Sequence, residues 1–127
     1  MLKLPDLSQI DQVLPQRIFL CSAPTDMRRS FDSLAMIVEQ FMGADPLSGD
    51  LFCFRSRGAD RIKILAWDGD GYVLYYKRLE EGTFRFPATP AEQASVRIKP
   101  TELAMLLEGI DLKSIKRGRR YRRHRKD

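Results

Sequence analysis

Leu51-Phe52-Cys53-Phe54-Arg55, Arg61-Ile62-Lys63-Ile64-Leu65-Ala66-Trp67, Tyr72-Val73-Leu74-Tyr75-Tyr76-Lys77-Arg78-Leu79 and Thr83-Phe84-Arg85-Phe86 follow one another as four β-rich runs. The links between them are Ser56-Arg57-Gly58-Ala59-Asp60, Asp68-Gly69-Asp70-Gly71 and Glu80-Glu81-Gly82, each short, polar and supplied with glycine. Branched and aromatic side chains suit a pleated, half-buried surface, and short glycine-containing links join antiparallel neighbours. The simplest arrangement is a four-stranded meander, ended by Pro87 and Pro90.

Upstream the period changes. Met27, Phe31, Leu34, Ala35, Val38, Phe41 and Met42 recur at helical spacing and form one apolar stripe, which predicts a helix over 25–42. Thr25 is its expected N-cap, Asp26 suits the positive end of the macrodipole, and Gly43 is the expected stop. A short buried strand, Arg17-Ile18-Phe19-Leu20-Cys21, precedes it. Downstream, Ser95-Val96-Arg97-Ile98-Lys99 alternates like a strand. Pro100 then opens a shorter helix carrying Leu103, Leu106, Leu107 and Ile110, with Gly109 as its stop. The fold class expected is α+β: an antiparallel β-meander of four to five strands packed on one long and one short helix, with a disordered basic C-terminal tail.

At 127 residues, with 43% hydrophobic and 31% charged residues, the chain has the size and composition of one ordinary domain. That domain is expected over 1–112 and the tail over 113–127. No apolar stretch approaches the roughly 20 residues of a bilayer helix, and no basic segment followed by an apolar block opens the chain. A cytoplasmic protein without membrane contact is the expectation. Cys21 and Cys53 lack CxxC spacing and share the chain with a single histidine, so they read as buried free thiols, with no metal and no cofactor expected.

The net charge of +5 is unevenly distributed. Residues 113–127 hold nine Lys or Arg against one acid, which leaves 13 basic and 16 acidic residues for 1–112. Lys116, Arg117, Arg119, Arg120, Arg122, Arg123, Arg125 and Lys126 form a run suited to polyanions, with affinity expected to fall steeply with salt. A solvated terminal run without a partner is the plainer alternative.

Within the meander the acids Asp60, Asp68, Asp70, Glu80 and Glu81 fall in or beside turns, while Arg55, Arg61, Lys63, Lys77, Arg78 and Arg85 lie in strands. Strand parity sets Arg61, Lys63, Leu65 and Trp67 on one face and Ile62, Ile64 and Ala66 on the other. If the helices cover only the apolar face, the open face carries cations and Trp67, a combination suited to phosphates and unstacked bases. Half-exposed strands also carry Lys and Arg simply to remain soluble and to protect edges. Arg28 and Arg29 are expected in the first turn of the long helix. There they make an anion site, or Arg28 pairs locally with Asp32 or Asp26. With Arg57 in the first turn, these are the candidate DNA contacts.

A metal-dependent nuclease would need acids such as Asp60, Asp68 and Glu80 to hold divalent ions together, and nothing in the sequence gathers them. No GxSxG, P-loop, HExxH or dinucleotide fingerprint is present, and His124, needed by any cysteine nucleophile, lies in the tail. No catalytic residue is assigned.

Several strings in combination resemble a known family: Thr25 through Leu34, Asp45 through Phe54, Asp60 through Gly69, Tyr76 through Pro87 and Leu106 through Asp111. The chain is similar to the TnpB accessory proteins of the insertion-sequence-sixty-six family of bacterial transposable elements, which are unrelated to the RNA-guided nucleases sharing that name. The resemblance spans about 17–111. It implies a protein encoded beside a separate transposase, needed for efficient transposition and without established catalysis. The motif positions carried over are Asp26, Arg28, Asp60, Lys63, Trp67, Asp68, Lys77, Arg78 and Glu80. Departures are Ser56 before Arg57, Ala59 between Gly58 and Asp60, and Lys99 where a Ser or Thr cap is common.

Three functions follow as expectations. The first is an accessory factor of DNA transposition that contacts DNA mainly through phosphates. The second is a partner of the transposase, or of a second copy of the chain, without direct DNA contact. The third is a metal-dependent nuclease.

Overall fold

The computed structural model describes residues 16–111 and 116–117. Strands β1 (Ile18–Cys21), β2 (Leu51–Arg55), β3 (Arg61–Trp67), β4 (Tyr72–Arg78) and β5 (Ser95–Ile98) form one sheet in the order β4-β3-β2-β1-β5. Helix α1 (Phe31–Gln40) connects β1 to β2, and helix α2 (Pro100–Glu108) follows β5. Two short strands, β6 (Ile110–Asp111) and β7 (Lys116–Arg117), make a separate antiparallel ladder.

The α+β class stands, and the sheet is mixed. β2-β3-β4 is the expected antiparallel meander. β1, however, runs parallel to β2, with Ile18 opposite Leu51, because a helix-containing connection returns the chain to the same end of the sheet. β5 closes the far edge antiparallel to β1.

The fourth meander strand, 83–86, does not form. After Leu79, whose N–H reaches the Asp60 carbonyl, the chain must travel from the β4 edge to the β5 edge, so it crosses the sheet instead of lining it. Phe84 donates one backbone bond to the Ala59 carbonyl and buries its ring.

Both faces of the sheet are covered. Ile18, Leu20, Leu51, Cys53, Ile62, Ile64 and Ala66 meet Leu103 and Leu106 of α2, together with Phe84. Phe52, Phe54, Leu65 and Cys21 meet Leu34, Ala35 and Val38 of α1, together with Met27. β2 is therefore apolar at successive positions, the pattern of a strand buried on two sides.

The long helix begins at Phe31, six residues later than its apolar stripe suggests. The Arg28 N–H bonds the Asp26 carboxylate at 2.9 Å and the Arg29 N–H bonds the Asp26 carbonyl, a local turn that competes with helix. Met27 is buried all the same, so its contribution to the stripe comes from this turn. Ser30 is the N-cap, its N–H donating to Ser33 Oγ. Ala44 bonds back to the Val38 carbonyl past Gly43, which takes φ +65°. α2 runs as expected from Pro100 to a left-handed Gly109.

Lys116 and Arg117 are strand residues, not part of a disordered run, since the ladder sets Lys116 opposite Asp111 and Arg117 opposite Ile110. The rest of the basic tail lies outside the described residues.

Candidate nucleic-acid interface

The site is built from the ends of strands. β3 spans seven residues, so its two ends lie roughly 20 Å apart. At the end where β3 begins stand Arg61 and its cross-strand partner Arg78, the loop bearing Arg57, and the turn bearing Arg28 and Arg29. At the opposite end are the Asp68–Gly71 turn and the Asp45–Asp50 loop that enters β2.

Lys63 fixes the first of these ends. Its side chain is buried beneath the turn that precedes α1, and its Nζ donates to the carbonyls of Met27 and Arg29, each at 2.7 Å. The ammonium also sits 4.5 Å from the centroid of the Tyr76 ring, its cross-strand partner. Bonded to those two carbonyls, it secures the turn that carries exposed Arg28 and Arg29.

The arginines differ in freedom. Arg28 grips Asp26, with Nη2 2.7 Å from Oδ2, so local pairing is the arrangement found. That guanidinium and the Arg28 backbone N–H hold the Asp26 carboxyl well below the usual carboxylate range. Arg78 pairs with Glu80 at 2.9 Å, whereas Arg61 stands 3.9 Å from Asp60. The Asp60 carboxylate accepts from Ser56 Oγ, which itself accepts the Arg61 N–H, so Asp60 shapes the turn. Arg55 reaches back to the Ser22 carbonyl at 3.3 Å. Arg29, Arg57 and Arg85 are exposed.

α2 brings the chain back to this end. Lys77 Nζ donates to the Leu107 carbonyl at 2.8 Å, a cation on the last turn of the helix. β6 follows one residue after Gly109, so Lys116 and Arg117 of β7 are carried by a ladder that starts there.

Two expectations for the strand face are overturned. Arg61, Lys63, Leu65 and Trp67 do share a face, but α1 packs on Leu65 at its middle, and Lys63 is 6% exposed. It is therefore not an open cationic surface. Trp67 is half-buried at the opposite end from Arg61, edge-on to Tyr72 at 5.2 Å, and does not join the cations. The unbroken apolar run in β2 marks that strand as covered on both sides. Arg119, Arg120, Arg122, Arg123, Arg125 and Lys126 lie outside the described residues.

The second end is acidic. Burial first, and then the carboxylates of Asp32, Asp45 and Glu39, push the Tyr72 hydroxyl up from its ordinary pKa. Asp50 is buried, accepting from the Arg17 N–H and Ser48 Oγ and pairing with Arg17 Nη2 at 2.9 Å. This knot joins the starts of β1 and β2, and the sequence reading did not anticipate it. Asp60 and Asp68 sit at opposite ends of β3, too far apart to share ions. Among the described residues no group of three or more His, Cys, Asp or Glu could hold a metal ion. Both cysteines are buried and free. Among the described residues no helix is long and apolar enough to cross a membrane.

A family model described as "IS66 Orf2 like protein" matches residues 16–117. Two curated proteins of Sinorhizobium fredii (strain NBRC 101917 / NGR234) are similar. "Uncharacterized protein y4jC" is 38% identical over 101 residues, covering 80% of this chain and 85% of its own. "Uncharacterized protein y4hO" is 41% identical over 95 residues, covering 75% of this chain and 81% of its own. No solved structure matches.

Proposed function

The chain belongs to the IS66 Orf2-like family, associated with transposition, and from that premise we propose that it is a non-catalytic accessory factor that binds DNA. The observation that supports this reading is the gathering of arginines at one end of the sheet. Arg28, Arg29, Arg57, Arg61 and Arg78 gather at one end of the sheet, and α2 terminates at the same end, leading through β7 toward the basic run. Such an end would contact successive phosphates, which gives affinity without base readout and a steep dependence on salt. The transposase of the same element is the second proposed partner.

Binding of the full chain to a labelled duplex over a salt series tests the reading. The expected result is a linear fall of log K with log salt, with a shallower slope for a chain ending at residue 117. Absence of binding at low salt would overturn the DNA half. Exposed Phe31, Met36 and Phe41 on and beside α1 favour the transposase as the remaining partner, tested by co-purification.

A further inference from the structure

We propose that two copies of this chain associate through the outer edge of β4, antiparallel and centred on Tyr75, into one continuous sheet with five strands from each copy. This inference does not depend on DNA binding.

β4 is an edge strand of seven residues. Its hydrogen-bond phase is fixed at both ends: the Leu79 N–H bonds the Asp60 carbonyl, and the Asp68 N–H bonds the Gly71 carbonyl. Given the register of Arg61 opposite Arg78, the odd-numbered residues of β4 bond to β3. The backbone N–H and C=O of Tyr72, Leu74, Tyr76 and Arg78 therefore point outward.

Among the described residues the only charged guards of this edge, Lys77 and Arg78, stand at one end of it. Tyr72 to Tyr76 are five successive apolar residues, all at least partly exposed, with Tyr76 at 48%, and no proline or glycine interrupts them. β5, at the other edge, is four residues long, carries exposed Arg97, and is followed at once by Lys99 and Pro100. A long apolar edge is a template for another strand, which natural proteins normally block or cover.

Charge selects the occupant and its direction. Lys77 and Arg78 stand at the cationic end of β4, and Tyr72 stands at the acidic end, in the field of Asp32, Asp45 and Glu39. Antiparallel pairing about Tyr75 uses all seven residues. It sets each Arg78 opposite the Tyr72 of the other copy and each Lys77 opposite Val73. Parallel pairing would stack Lys77 and Arg78 on their own kind, a destabilising contact. In the antiparallel register the even-numbered residues meet as hydrogen-bonded pairs on the α1 side of both copies, so each helical layer stays on its own face. Tyr75 faces Tyr75 as a non-hydrogen-bonded pair, with Cα atoms about 4.5 Å apart.

That pair is within disulfide reach, and the native cysteines are buried. In the full, nuclease-treated chain, Tyr75→Cys is expected to form a disulfide-linked dimer in air, while Val73→Cys and Leu74→Cys do not. Sedimentation equilibrium supplies a second measurement that leaves Tyr75 untouched. Val73 belongs to neither core cluster, so its variants keep the fold. Val73→Lys meets the partner copy's Lys77 twice in the symmetric pair, and should weaken the dimer about tenfold; Val73→Glu should tighten it. A wild-type chain that stays monomeric at high micromolar concentration overturns the proposal. So does a dimer indifferent to both Val73 substitutions.

Discussion

Lys63 Nζ lies 2.7 Å from the carbonyl oxygen of Arg29, so a cation buried beneath the turn before α1 holds the backbone that displays two exposed ones. The same ammonium bonds the Met27 carbonyl and faces the Tyr76 ring. The strand thus contributes its charge to the architecture of the cationic end and not to its surface.

Replacing Lys63 by Met keeps the stem and removes the donors, leaving the Met27 and Arg29 carbonyls without their bonds. A stability loss of about 3 kcal/mol is expected, because each orphaned buried acceptor costs about 1–3 kcal/mol. Urea unfolding of Lys63→Met against wild type checks this, and a loss no larger than that of Arg57→Ala would contradict it.

The contribution of each cation to DNA binding is separable by salt. Arg29→Ala and Arg57→Ala should each lower the salt slope by about one, since each phosphate contact releases about one counterion. Trp67→Phe, at the other end of β3, should leave both affinity and slope unchanged. An equal effect of all three would remove the argument from the gathered arginines.

Two positions with positive φ respond in opposite ways. Ala59 adopts φ 60° and Gly109 φ 78°. Ala59→Gly relieves the left-handed strain and should stabilise by up to about 1 kcal/mol, while Gly109→Ala introduces it and should destabilise by about 1 kcal/mol. A Cβ at Gly109 would meet no atom within 4 Å, so the cost there is conformational. Thermal unfolding of both variants gives the two signs directly.

The Cys53 thiol is pushed up to about 12 by burial, and Cys21 is raised as well. Neither should react with a thiol reagent at pH 8 until the protein opens, so labelling kinetics would track unfolding. The linkage sign follows from the raised native pKa. Below the unfolded value near 9 both states keep the proton, and the thiol's contribution to stability is fully present. As pH rises from about 9 toward 12 the unfolded chain ionises first, and stability falls. Cys53→Ala should flatten that alkaline limb of the stability curve.

The sequence by itself determined the local pieces. Period-two runs and glycine turns set β2, β3 and β4; Pro100 and Gly109 bounded α2; and the motif strings and the basic run pointed to transposition and polyanions. Alternation also told correctly that Arg61, Lys63, Leu65 and Trp67 share a face. What it could not tell is whether water reaches that face, because parity relates neighbours within a strand and is silent on what packs above them. Only the tertiary structure decided that α1 and α2 cover both sides, that Lys63 is therefore inside, and that 83–86 crosses beneath the sheet. The parallel pairing of β1 with β2 came from the same source, since a helix-containing connection can return to either side of a strand and the choice rests on packing. That packing gathers Arg28, Arg29, Arg57, Arg61 and Arg78 at one end of the sheet, and among the described residues it sets no strand beside the outer edge of β4.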